Sequence, residues 1–269
     1  MMTRRNILKT GIAALTVPYI GRSEPRRSML GAVDTGEEGS SEWVNPYVTD
    51  GLLSMWDGEW NAGGGLHDEN SLIWKDLVGS RDWQLGSYSS YEWKNNSFYA
   101  KDQNAATQDF IDGSIVKTVE VCATLQKHDQ PPIGNFAFII LGRLTTNSKP
   151  YYGILYRNPS GAYKALMSGF SFYTNTYTEF VGTPSSFSFP DFDVQNVVPA
   201  FFNGVSRDAN TINTLDYNAN TRGTTARIGG TLTQAMPIEV FNLRIYSRPL
   251  SEDEIFHNYT VDRERFNLP

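Results

Sequence analysis

EVFNLRIYSRPLSEDEIFHNYTVDRERF, residues 239–266, is the stretch that decides the fold. Its first part continues from Pro237 as a run of strand-forming residues, and its second part starts a helix whose beginning is written into the chain. Ser251 is placed to cap the first turn, and Glu254, three residues later, can return the hydrogen bond to the Ser251 amide. Leu250 and Ile255 flank that cap as a hydrophobic staple. Glu252, Asp253 and Glu254 put negative charge where the helix dipole is positive. Ile255, Phe256 and Tyr259 recur at spacings that share a face, so the helix is predicted to lie against the rest of the domain and cover apolar surface at its edge.

Everything ahead of this ending reads as β structure. From about Tyr47, short runs rich in Val, Ile, Phe, Tyr and Thr alternate with Gly, Asn, Pro and Ser, the pattern of a sandwich or barrel. GLLSMWDGEW is a candidate first strand. KTVEVCATLQ puts Val119, Val121, Ala123 and Leu125 on one face, and NFAFIILGRL is apolar enough for one buried central strand. YYGILYRNPSGAYKALMSGF reads as two strands around an Asn158-Pro159-Ser160-Gly161 turn. VQNVVPAFFNG and TTARIGGTLT supply further strands. Strands nowhere alternate with long amphipathic helices, which argues against a parallel α/β sheet. With 269 residues, 40% hydrophobic and 13% aromatic, the chain is long enough to bury one substantial core, and a single main domain over 43–269 is expected.

Composition also limits the partners. A net charge of -6 argues against a nucleic-acid surface, which needs clustered Lys and Arg. No apolar run is long enough for a membrane-spanning helix. The single cysteine, Cys122, has no internal partner and reads as a buried strand residue. Residues 1–42 stand apart. TRRNILKTGIAALTVPYIG resembles a twin-arginine export signal, with Ile7 where an aromatic is usual. Pro18 and Tyr19 interrupt its apolar run, and Arg22, Arg26 and Arg27 follow it, so a disordered basic arm is the competing reading. The first reading makes the protein secreted or displayed at the cell surface.

The closing segment carries a family resemblance. Arg244-Ile245-Tyr246, Leu250, Ser251, Glu254-Ile255 and Asn258-Tyr259 resemble the last strand and capped helix of bacterial laminin-G-like jelly-roll domains, in the concanavalin A-like lectin and glucanase superfamily. ARIGG (226–230) is similar to the strand that precedes that ending. Asp57-Gly58 with Trp74-Lys75-Asp76-Leu77 resembles its opening, and Asn203-Gly204 its hairpin turn. The likeness runs over roughly residues 47–268 and implies an all-β, antiparallel, two-sheet jelly-roll sandwich with a short C-terminal helix. One fold hosts many unrelated sites, so it implies no particular activity.

Glycosidases on this scaffold resemble one another in a Glu-x-Asp-x-(x)-Glu strand that sets two carboxylates beside the scissile bond, and this sequence contains none. The nearest substitutes are Asp57 with Glu59 in WDGEW, and Asp191 with Asp193 in PDFDV. Either pair could hold calcium through its oxygens, although Asp-Gly is also a turn signal and PDFD also reads as a solvated loop. His67, His128 and His257 are isolated, which leaves zinc unsupported. NAGGGLHDEN lacks the context of a phosphate loop, and no G-x-S-x-G elbow occurs.

All six tryptophans, Trp43, Trp56, Trp60, Trp74, Trp83 and Trp93, fall between residues 43 and 93. Trp56 and Trp74 occupy framework positions and are expected in the core. Trp60, Trp83 and Trp93 lie among polar neighbours, where open indole faces could stack on sugar rings and Asp57 and Glu59 could bond hydroxyls. SFYTNTYTEF (171–180) is a second aromatic surface or an ordinary hairpin. The reading is therefore a non-catalytic recognition domain for a glycan or a protein, with no cofactor beyond the calcium just considered. The alternatives are a structural or adhesion component of a virion or cell surface, and a divergent glycoside hydrolase.

Overall fold

Thr118–Leu125 and Ile238–Tyr246 lie antiparallel at the centre of an eight-stranded sheet. The computed structural model describes residues 44–60, 70–102, 104–109, 111–112, 115–126, 134–137, 139–143, 151–152, 155–158, 164–167, 170–173, 182–190, 200–207, 210–211, 225–231 and 234–269. All of them fall in the unit Ala32–Pro269. The export-like segment, Trp43, His67, His128, the loop at 61–69 and the Asp191/Asp193 pair lie outside the described residues.

The eight-stranded sheet runs Val205–Arg207, Ala200–Phe202, Ser185–Phe189, Thr118–Leu125, Ile238–Tyr246, Ser97–Ala100, Tyr91–Lys94. The eighth strand, Leu52–Asp57, also pairs with Ile238–Tyr246. One long strand serves two neighbours because a bulge at Phe241 divides it. Ile238 to Val240 face Ala100 to Phe98, and Asn242 to Tyr246 face Asp57 to Leu52. At the crossover the Gly58 amide donates to the Phe241 carbonyl at 2.7 Å. A Cβ on Gly58 would sit 2.4 Å from the Ser97 backbone, which explains the Asp-Gly pair in packing terms.

Opposite lies a five-stranded antiparallel sheet ordered Ile139–Ile140, Thr225–Ile228, Ala106–Asp109, Trp83–Leu85, Ile73–Trp74. The main core is built from both layers: Trp74, Trp83, Ala106, Ile139 and Ile228 from the smaller sheet, and Val119, Val121, Phe187, Leu243 and Ile245 from the larger. The fold is an all-β antiparallel sandwich with one helix at its end. Among the described strands the two-residue match of Gly142–Arg143 with Ile111–Asp112 is the parallel exception. The alternation expected for KTVEVCATLQ holds, since Val119, Val121, Ala123 and Leu125 all enter this core.

Two expectations need correcting. NFAFIILGRL does not form one central strand. Gly134–Ala137, Ile139–Ile140 and Gly142–Arg143 pair with three different sheets. A run that is apolar throughout carries no period to fix where pairing switches. Phe256, which its spacing puts with Ile255 and Tyr259 on the packed face, is 56% exposed. The helix Glu252–Phe266 instead buries Ile255, Asn258, Tyr259, Asp262 and Phe266, a stripe of period near 3.6 from which Phe256 is rotated away.

The helix start is as read from the sequence. Ser251 Oγ accepts from the Glu254 amide at 3.3 Å, and Glu254 Oε2 accepts from the Ser251 amide at 2.9 Å. Leu250 and Ile255 pack together with Phe201 and Tyr246. The Asn203-Gly204 turn joins Ala200–Phe202 to Val205–Arg207 with both residues at positive φ, 49° and 71°. That is a primed two-residue hairpin turn.

Candidate functional site

The helix rests on the outer face of the larger sheet, and the contact carries buried charge. On Thr118–Leu125 the residues opposite the sandwich core include Glu120 and Cys122. On Ile238–Tyr246 they include Asn242 and Arg244, with Arg244 in register with Glu120. Arg244 Nε donates to Glu120 Oε2 at 3.0 Å, and Nη1 and Nη2 donate to both Asp262 oxygens at 2.7 and 2.9 Å. All three side chains are fully buried. Asn258 Nδ2 donates to Glu120 Oε2 at 2.7 Å and to Tyr246 Oη at 3.0 Å. Ser188 serves Glu120 and Ser186 serves Asp262, each through its hydroxyl. The Tyr47 ring covers the Arg244 guanidinium at 4.0 Å, within cation-π range.

This density of donors is what makes buried carboxylates tolerable. Burial works to raise Asp262, but the Arg244 charge and the hydrogen bonds from Arg244, Asn242 and Tyr47 outweigh it and hold the carboxyl below its usual value. At Glu120 burial wins: the Arg244 charge, Ser188 and Asn258 offset it only in part, and the carboxyl stays above its usual value. Burial alone would pull the Arg244 guanidinium down, and its two carboxylates more than reverse that. The chain entering the domain is fastened to the same place. The Val48 amide donates to Asn258 Oδ1 at 3.0 Å, and Tyr47 Oη accepts from Asn242 at 2.8 Å and from Arg265 at 3.0 Å. His257 meets the Pro46 carbonyl at 3.0 Å from the exposed side.

Asp57 and Glu59, singled out from WDGEW, are brought together by Arg265 of the helix. Arg265 Nη1 and Nη2 reach Asp57 at 2.6 and 3.0 Å, and Nη2 reaches Glu59 at 3.1 Å. Asp57 also accepts from the Glu59 and Trp60 amides. The pair thus holds the end of the helix to the end of the first strand, and its oxygens face a guanidinium. That arrangement opposes a cation such as calcium at this position. Among the described residues no group of three or more His, Cys, Asp or Glu side chains could hold a metal ion. No described helix is long and apolar enough to cross a membrane.

The open indole faces expected at Trp60, Trp83 and Trp93 are not there. All three side chains are buried, Trp83 completely. Trp83 and Trp93 are cornerstones of the core: Trp83 meets Trp56 edge-on at 5.8 Å, and Trp93 meets Trp74 at 5.8 Å and Phe98 at 5.0 Å. Their polar sequence neighbours lie on the opposite strand face, as with exposed Gln84 beside Trp83 and exposed Glu92 beside Trp93. Period 2 makes a buried indole and a polar neighbour compatible.

In the tryptophan-rich stretch, among the described residues, the aromatic ring that does face outward is Tyr88, 56% exposed. It sits in the turn Ser87 to Ser90, closed by the Ser90 amide donating to the Ser87 carbonyl at 2.7 Å. Tyr88 Oη donates to the Asn70 carbonyl at 3.0 Å, and Tyr91 Oη donates to the Ser71 carbonyl at 3.1 Å. The two tyrosine rings are 5.8 Å apart. Leu72, 51% exposed, belongs to the same edge, with its carbonyl accepting from the Leu85 amide. No motif marked this turn in the sequence; its one signal is an aromatic flanked by serines, SYSSY.

No family model matches the chain, and no curated protein matches it. Solved structures do share its architecture. Trypanosoma rangeli sialidase in complex with a difluoro-KDN compound superposes with a TM-score of 0.56 at 15% identity, covering 81% of this chain and 34% of that one. The same sialidase in complex with sialic acid gives 0.55 at 15%, with the same coverage. An HCR/D mutant gives 0.51 at 14%, covering 79% of this chain and 52% of that one. The chain therefore spans about a third of the sialidase it matches. At such identities the likeness establishes the all-β fold alone.

Proposed function

We propose that this chain is a non-catalytic recognition domain of the laminin-G-like jelly-roll type that binds carbohydrate, on a secreted or surface-displayed protein. The observation that carries the reading is the state of the four buried acids among the described residues. Glu120 and Asp262 bond Arg244, and Asp57 bonds Arg265. Asp76 accepts from the Met55, Val78, Gly79 and Arg81 amides. Most glycoside hydrolases use one carboxyl as acid and a second as base or nucleophile, both aimed at the sugar. Here each buried carboxyl is spent on holding strands, loop or helix together. The shared architecture with a sialidase solved with sialic acid adds support for sugar as the ligand, with that enzyme's own activity belonging to a longer chain, of which the match covers 34%.

The test is a glycan array probed with the full chain, with and without calcium, beside a reducing-end assay on a polysaccharide panel. Retention on glycans without release of reducing ends is the expected result. Hydrolysis that disappears in Asp57→Asn would overturn the non-catalytic reading.

A further inference from the structure

The exposed edge around Tyr88 goes a step further than a general recognition role, while resting on it. We infer that this edge is the saccharide contact and that it takes uncharged sugar. Three features carry the inference.

The first is preorganisation. The Tyr88 ring is fixed at its hydroxyl by the Asn70 carbonyl and beside its face by Tyr91. Leu85 to Leu72 and Tyr91 to Ser71 hydrogen bonds tie the turn to the segment Asn70 to Leu72. A ring held by its neighbours loses little freedom when a ligand covers it, so its buried area converts into affinity at low cost.

The second is chemical mixture. Flat apolar surface on Tyr88 and Leu72 suits the C–H face of a pyranose. The hydroxyls of Ser87 and Ser89, 2.8 Å apart, stand beside Tyr88 in the turn, and both residues are exposed. An apolar platform edged by a few fixed polar groups is the usual makeup of a small-ligand site.

The third is charge. No charged residue occurs in 70–74 or in 84–91. Next to these windows, Lys101 pairs with Glu92 at 3.1 Å and Lys75 with Asp82 at 2.6 Å. Asp102 turns its carboxylate onto the Asn104 amide. Among the described residues, a carboxylate-bearing sugar would find no guanidinium or ammonium without an acidic partner at this edge, and would lose hydration without return. An uncharged hexose or pentose unit loses nothing of the kind.

The full chain is to be assayed on an array that pairs each neutral glycan with its sialylated or uronic counterpart, alongside Tyr88→Ala and, as a control on the closing helix, Phe256→Ala. Both substitutions are at exposed sites, and unchanged tryptophan fluorescence verifies the fold. Binding of neutral glycans that weakens about tenfold in Tyr88→Ala and is unchanged in Phe256→Ala is the expected result. Binding confined to acidic glycans would overturn the charge inference and leave the recognition role standing. Binding unaltered in Tyr88→Ala would overturn the site. Silence across the whole array would overturn the recognition role itself.

Discussion

Replacing Asp262 by alanine should cost this protein more than any change on its surface. The carboxylate receives hydrogen bonds from Arg244 Nη1 at 2.7 Å and Nη2 at 2.9 Å, from Asn242 at 2.7 Å, from the Ser186 hydroxyl at 3.0 Å, and from Tyr47. Without it Arg244 keeps its Nε bond to Glu120, but the two terminal nitrogens of a fully buried guanidinium lose their partner. Removing one member of such a pair typically costs ~3–5 kcal/mol. Total stability of a domain is about 5–15 kcal/mol, so the loss is a large share of it. Urea unfolding followed by tryptophan fluorescence measures this directly, because five of the six indoles lie in the described structure and all five are buried. A cycle with Arg244→Met should return a coupling of about 2–3 kcal/mol, near the upper end for residues in contact. A loss below about 1 kcal/mol for Asp262→Ala, or a cycle that closes to zero, would refute the claim that this ion pair fastens the helix.

Two further changes probe the same ending. Arg248 grips Glu254 with two hydrogen bonds, 2.9 and 2.6 Å, and that grip, followed by the Ser251 amide, depresses the Glu254 carboxyl to about 2. A depressed carboxyl stabilises the fold above its unfolded value, near 4.3, and loses that contribution as pH falls toward 2. Glu254→Gln keeps a capping side chain but lacks the charge, so its melting temperature should lie below wild type at pH 7 and converge with it near pH 2. A gap that persists at pH 2 would assign the difference to capping alone. Gly204→Ala should be costlier than Gly182→Ala by ~1 kcal/mol or more. Both glycines sit at positive φ, but a Cβ at 204 meets the Tyr259 ring at 2.5 Å and one at 182 meets nothing within 4 Å. Equal losses in urea unfolding would show that the hairpin does not bear on the helix.

The legible parts of this protein were those whose signals are local. The capping box needs Ser251 and Glu254 only, the hairpin turn needs Asn203 and Gly204 only, and the alternation of Val119 to Leu125 sits within one strand. The charge network was illegible because its members are far apart in sequence: Glu120 and Arg244 are 124 residues apart, and Arg244 and Asp262 are 18 apart. Each sits on its own element, with nothing nearby in sequence to mark its partner. A trace was present all the same. Asn258 and Asp262 fall on the same helical stripe as Ile255 and Tyr259, and Glu120 is the one charged residue of its strand. Polar residues on the faces that two strands and a helix turn toward one another are the sequence form of a buried network. Arg244, Tyr246 and Asn258, which carry the resemblance to laminin-G-like domains, are themselves members of it. The tryptophans misled for the converse reason. Their polar neighbours, Gln84 and Glu92 among them, describe the other face of each strand.

The burial pattern also limits where recognition can occur. Every residue of Thr118–Leu125 is buried, and so is every residue of Ile238–Tyr246 except Glu239. The sandwich core covers one side of these central strands and the helix with its charge network covers the other, so neither side of them is open to a ligand. A large partner or a sugar must therefore be met away from these two strands, as at the edge where Tyr88 and Leu72 stand exposed. Stability and recognition then rest on different residues. Asp262→Ala should shift the unfolding curve and leave the affinity of the folded fraction unchanged, whereas Tyr88→Ala should do the reverse. If one substitution moved both quantities, the charge network would be part of the binding surface, and the separation drawn from these buried strands would be wrong.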